Sequence, residues 1–206
     1  MTESLINLLN ETKSISWVQW LSFFSGLLYI YFASKNRPIC WPLGILSSAL
    51  WAYASWFQLH LLSDSVLQLL YVILGFWGWY QWKVSQQQKS VTVSTLTYIR
   101  MAIYIWISVV VSIGLGIIMK KTTAAFPMTD AAISVFSITA TILLIQQKIE
   151  NWLLWICINL VSIPMFIIRG GHLFAVLFFI YFILSFKGWF DWRKILKGEL
   201  KKFSNL

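Results

Sequence analysis

Two groups of residues in this 206-residue chain have the types and spacing to recognise a small molecule. In the run Asn151-Trp152-Leu-Leu-Trp155-Ile-Cys-Ile-Asn159, positions 152, 155 and 159 are spaced i, i+3, i+7. That spacing puts two indoles and an amide on one helix face. Gln68 and Tyr71 stand one turn apart in another run, with Gly75 and Gly78 further along it. Such groups suit a flat heterocycle with hydroxyls. The rings stack, the amides hydrogen-bond, and a positively charged ring gains roughly 0.5–2 kcal/mol per aromatic contact. Plainer readings exist for each. Trp152, near the end of its apolar run, equally fits an interfacial aromatic belt. Gln68 equally fits hydrogen-bonded packing between helices, and the glycines suit close helix approach more than ligand contact.

Reaction chemistry is missing. Asp64, Asp130 and Glu150 stand at the edges of apolar runs, and no acid lies well inside one. His60 and His172 read as loop residues rather than metal ligands. Cys40 and Cys157 read as small buried hydrophobes rather than a disulfide or metal pair. No base, nucleophile pair or metal cluster stands out. The sequence predicts no enzyme, no catalytic residue, no metal site and no cofactor.

The elements that carry these residues are membrane helices. The chain is 59% hydrophobic and 11% charged, with mean hydropathy +0.73. A soluble domain needs roughly a quarter of its residues charged, so much of this surface cannot face water. Apolar runs between polar breaks give seven spans: about Trp17–Ser34, Pro38–Gln58, Asp64–Trp82, Tyr98–Met119, Met128–Gln147, Trp152–Arg169 and His172–Phe190. Strict period-two alternation is lacking, so helices rather than a barrel satisfy the backbone in lipid. The reading is an all-α integral membrane protein with seven transmembrane helices. Residues 1–16 precede the core of residues 17–192, with a short amphipathic stretch at Leu5–Leu9 and no cleavable signal, and a basic tail occupies 193–206.

The net charge of +9 does not point to nucleic acid, because the basic residues lie in short gaps between spans and in the tail. They orient the chain instead. Lys13, Lys120, Lys121 and Arg169 fall on one side and the other twelve on the opposite side. The more basic side is cytoplasmic by the positive-inside rule, which places the N-terminus outside and the C-terminus inside.

The halves also repeat. Trp41 matches Trp152 at an offset of 111, and Leu67, Tyr71, Gly78, Trp79 and Trp82 match Leu177, Tyr181, Gly188, Trp189 and Trp192 at 110. Spans 1–3 (about 17–82) therefore recur as spans 5–7 (about 128–192), with span 4 (about 98–119) as linker. One linking helix after three keeps the repeats parallel, the 3+1+3 symmetry class of the SWEET proteins.

The stretches NRPICWPLG, SDSVLQLLYVILGFWGWYQW and IENWLLWICINLVSIPMFIIRGGHLFAVLFFIYFILSFKGWFDW resemble the bacterial PnuC family of nicotinamide riboside transporters. The likeness runs from about Trp17 to Lys194. It is carried by Trp152-x-x-Trp155, by the Gln68/Tyr71 pair and by the Gly-x-x-x-Trp ending in Trp192. It implies a SWEET-like core and facilitated diffusion of nicotinamide riboside across the bacterial inner membrane, with a separate cytoplasmic kinase trapping the product. It also implies a substrate site of Trp152, Trp155 and Asn159, with Gln68 and Tyr71 opposite. Relatives in the wider group carry thiamine or riboflavin. The expected partners are the vitamin and membrane lipid, with a homo-oligomer left open. A different class of function would be a vitamin-binding membrane subunit of a larger uptake complex.

Overall fold

A computed structural model of the chain describes residues 15–58, 62–87, 93–122 and 126–203. The N-terminal stretch through residue 14, with its expected amphipathic segment, and His60 lie outside the described residues. Seven α-helices follow in order: α1 Trp17–Ser34, α2 Cys40–Tyr53, α3 Leu62–Gln87, α4 Tyr98–Met119, α5 Pro127–Ile145, α6 Asn151–Ile168 and α7 His172–Phe203. By length and composition, four of them (α4, α5, α6 and α7) are able to cross a membrane.

Local sequence accounts for the starts. Ser16 caps α1 in a reciprocal capping box with Gln19, which satisfies two otherwise orphaned donors. Thr97 caps α4 through the Arg100 N–H. Pro127 opens α5, where its missing N–H costs nothing.

The bounds of α1 and α4 are those expected from the apolar runs, and α5 and α6 shift by one or two residues. Helix α3 begins at Leu62 and runs on to Gln87, and α2 and α7 differ in kind or by more than a turn. Helix α2 ends as an α-helix at Tyr53 and continues as a π-helical turn, Ala54–Gln58. Helix α7 runs on through the basic stretch to Phe203, because Ile195 and Leu196 still find the core to pack against. Cys40 is buried as expected, but Cys157 is exposed. It shares the outward face of α6 with Leu153 and Leu160, at i, i+4, i+7 spacing.

The helices pack in sequence order within each half: α1 on α2 and α2 on α3, then α5 on α6 and α6 on α7. The halves meet where α1 touches α7 and where α3 touches α5. These six contacts close a ring. Helix α4 lies outside it, packed chiefly on α5. The connector before α4 joins the α5–α6 turn through Ser94, whose N–H donates to Gln147 O and whose carbonyl accepts from Ile149 N.

Candidate functional site

One end of the ring is filled by four tryptophans. Trp41 (α2), Trp82 (α3), Trp152 (α6) and Trp192 (α7) are each at most 2% exposed. Trp82 and Trp192 lie 6.0 Å apart across the ring, and each meets the first-turn indole of its own half edge-on. Trp41 stands 5.4 Å from Trp82, and Trp152 5.6 Å from Trp192. Edge-to-face packing suits the ring quadrupoles and is worth about 0.5–1.5 kcal/mol per pair.

Two glycines make room for this plug. A Cβ at Gly78 would fall 2.4 Å from the Trp41 ring, and one at Gly188 2.5 Å from the Trp152 ring. The indole N–H groups of the second pair then tie the halves together. Trp82 donates to Leu144 O at 3.3 Å and Ile145 O at 3.1 Å, and Trp192 donates to Ala33 O at 3.0 Å. This is the basic end, where Lys35, Lys187 and Asp191 form an ion cluster between α1 and α7.

Above the plug the ring is lined by phenols. Tyr29 of α1 lies within electrostatic reach of Tyr71 of α3 and Tyr181 of α7. Tyr71 stands beside Ser137 on α5. The Tyr181 hydroxyl reaches Gly26 on α1, where an added Cβ would meet it at 2.8 Å and Ser47 Oγ of α2 at 3.0 Å. Helices α7 and α2 are not neighbours in the ring, so Tyr181 points inward. Ser22 and Ser47 hold α1 to α2 there, each hydroxyl donating to the other's carbonyl at 2.8 Å.

Asn159 is 1% exposed. Its Nδ2 donates to Ser185 Oγ at 3.2 Å, and Ser185 donates onward to Tyr181 O at 2.7 Å. Its Oδ1 is buried without a hydrogen-bond partner. An unpaired buried carbonyl costs roughly 1–3 kcal/mol, and a ligand donor would relieve that cost.

The five residues singled out by sequence thus take different places. Trp152 belongs to the plug, buried rather than in a lipid-facing belt. Trp155 is half-buried on the α5 side, in a cluster with Leu154, Ile158, Ala140 and Leu143 that Tyr104 of α4 and Phe136 of α5 flank. Asn159 stands beside Ser185 on α7, Tyr71 beside Ser137 on α5, and Gln68 is half-buried one turn from Tyr71. Two lining residues escaped the sequence reading, Tyr29 and Tyr181. The second was within its reach, since Tyr181 is the repeat counterpart of Tyr71.

Residues 16–194 match the sequence model of the nicotinamide mononucleotide transporter family. Among individual proteins, the chain is 24% identical to the nicotinamide riboside transporter PnuC of Escherichia coli K12, over 84% of each chain. It is likewise 24% identical to the riboflavin/roseoflavin transporter RibM of Streptomyces davaonensis, over 90% of this chain and 92% of that one. The fold superposes on the crystal structure of the vitamin B3 transporter PnuC with a TM-score of 0.74 at 25% identity, covering 94% of this chain and 88% of that one.

Proposed function

The chain belongs to the nicotinamide mononucleotide transporter family, and we propose that it carries nicotinamide riboside down its gradient across the bacterial inner membrane. The carrying observation is that the family match spans all of the ring-forming helices up to Lys194. Membership makes the protein a multi-pass membrane transporter rather than an enzyme. Downhill movement is favoured because Asp64, Asp130 and Glu150 stand at helix starts and Asp191 is ion-paired at the basic end, while ion coupling generally uses ionisable groups or carbonyl sites inside the membrane. Phosphorylation by a separate kinase then traps the vitamin inside.

All seven helices cross. Helix α2 with its π-helical turn covers 40–58, which at about 1.5 Å per residue approaches the roughly 30 Å hydrocarbon thickness. The core, residues 17–192, is a parallel 3+1+3 repeat. Support comes from matched pairs 110 or 111 positions apart: Trp41 over Gly78 and Trp152 over Gly188, and the indole acceptors Ala33 and Leu144. The plugged, basic end faces the cytoplasm, with residues 193–206 as an inner basic tail and residues 1–16 outside.

The substrate lies between the phenols and the plug. Asn159 offers its free carbonyl oxygen to a hydroxyl or amide, Tyr71 and Gln68 hold the opposite side, and Trp152 and Trp155 supply aromatic faces once the plug parts. Riboflavin is the second reading, favoured by the likeness to RibM. Titration calorimetry of the purified protein with nicotinamide riboside, thiamine and riboflavin separates them. Tightest binding of nicotinamide riboside is expected, and preference for riboflavin would replace the first reading with the second.

A further inference from the structure

The carboxylate of Asp64 is not used in the proposal above. It stands in the first turn of α3, at the end of the ring opposite the plug. Trp51 Nε1 donates to its Oδ2 at 2.7 Å, and Ser55 Oγ donates to the same oxygen at 2.5 Å. Both donors come from the α2 side, and Ser55 lies in the π-helical turn Ala54–Gln58, a local widening that re-aims side chains and is frequent at functional sites. Oδ1 is left for another donor or a cation.

Trp51 in turn meets Phe174 of α7 edge-on, with centroids 5.5 Å apart. Because α2 and α7 are not neighbours in the ring, this contact reaches across its mouth. A carboxylate and two aromatic rings therefore sit together at the entrance.

Among the described residues, the Asp64 carboxylate also differs from the ion-paired acids in having no basic partner. Asp130 is held by Arg169 through two bonds of 2.8 and 2.7 Å, and Asp191 by Lys187 and by Lys35. Glu150, at the plugged end, accepts the Leu96 N–H. Among the described residues no lysine or arginine pairs with Asp64. A helix start stabilises an acidic side chain by its dipole alone, and that effect does not call for an indole and a hydroxyl from another helix on one oxygen. Along α3, Asp64, Gln68 and Tyr71 follow at i, i+4, i+7 and so share one face, running from the mouth to the phenols.

We infer that Asp64 is the charge-selecting residue of the passage. Its free oxygen and the Trp51 and Phe174 rings receive the cationic pyridinium ring and carboxamide N–H of the substrate before Gln68 and Tyr71 do. This rests on the proposed function. A carboxylate attracts the cation, the aromatic faces add cation–π contact, and a neutral ring gains neither.

The test compares proteoliposome uptake of nicotinamide riboside with uptake of its reduced, uncharged dihydro form. Asp64→Asn removes the charge yet keeps an oxygen for Trp51 and Ser55. For the cation, half-saturation should rise about tenfold, equivalent to about 1.4 kcal/mol, and the neutral form should change less than twofold. In the unaltered protein, added salt should weaken uptake of the cation and not of the neutral form. Equal losses for both compounds would reduce Asp64 to an anchor for Trp51 and overturn the inference. So would no loss for either, or a salt response that is flat for both. Failure of the unaltered protein to carry nicotinamide riboside at all would instead overturn the proposed function, and this inference with it.

Discussion

Gln147 donates its side-chain amide to the side-chain oxygen Oδ1 of Asn36 at 3.1 Å, and both residues hold left-handed backbone conformations, φ 54° and 52°. They lie 111 positions apart, each in the turn that reverses the chain at the plugged end. In each turn the same pair of backbone bonds recurs: Asn36 N to Ala33 O and Arg37 N to Phe32 O, then Gln147 N to Leu144 O and Lys148 N to Leu143 O. The two halves thus meet turn to turn, directly beside the indoles that bond to Ala33 and Leu144.

Asn36 does two jobs there, and two substitutions separate them. Asparagine tolerates the left-handed region, whereas most L residues pay about 1–2 kcal/mol to occupy it. Asn36→Gly should keep the backbone conformation and lose the side-chain bonding, of which the bond to Gln147 alone is worth about 1 kcal/mol. Asn36→Ala should lose that and add backbone strain. Thermal unfolding in detergent checks the order: wild type above Gly, and Gly above Ala.

Gly78 and Gly188 should each refuse a methyl group. The atoms in the way belong to indoles already fixed by neighbouring rings, so they cannot swing aside. Gly78→Ala and Gly188→Ala should each destabilise by about 1–3 kcal/mol, the usual cost of overpacking. The measurement is midpoint temperature and folded yield, with matched losses expected for the pair.

Trp82→Phe and Trp192→Phe keep an aromatic ring and remove one indole N–H each. If the plug is the inner gate, the double variant should exchange substrate faster while affinity stays within about twofold of wild type, since each lost bond is worth roughly 0.5–1.5 kcal/mol. Slower exchange together with lower stability would make the plug a fixed scaffold. Stopped-flow efflux from loaded liposomes reads the rate.

Asn159→Leu should weaken nicotinamide riboside binding while the protein stays folded, because the free oxygen it removes has no protein partner. Trp155→Ala should weaken binding about 5- to 30-fold, a loss of about 1–2 kcal/mol. Trp155 packs beside Leu154 and Ile158, so a purely structural role predicts the reverse pattern: lower midpoint temperature and unchanged affinity. Calorimetry and unfolding on the same preparations decide between the two.

Much of this was legible in the sequence. With 13 tryptophans in the chain, single Trp matches mean little. The constant offset shared by Leu67, Tyr71, Gly78, Trp79 and Trp82 with their counterparts is what marks Trp41, Trp82, Trp152 and Trp192 as a matched set. The apolar runs located α1 and α4 because their ends carry strong caps or charges. Packing direction was not legible. Spacing put Trp152, Trp155 and Asn159 on one face, but an arc that wide touches more than one neighbour, and Trp155 turns toward α5. The outward turn of Cys157 is hidden for a related reason, since an apolar run in lipid has no polar face to mark its exposed side. In the sequence Asp64 is simply an edge residue, because its bonds to Trp51 and Ser55 come from another helix, and Ser55 is aimed by a π-helical turn that no local composition announces.

The central claim is downhill transport of nicotinamide riboside, and equilibration in liposomes tests it most directly. Purified protein is reconstituted with no ion gradient, labelled nicotinamide riboside is added outside, and the internal concentration is followed to its plateau. The account predicts protein-dependent entry that stops when inside equals outside, with the same plateau when a proton or sodium gradient is imposed. A plateau above the outside concentration under either gradient, or entry no faster than in protein-free liposomes, would contradict it.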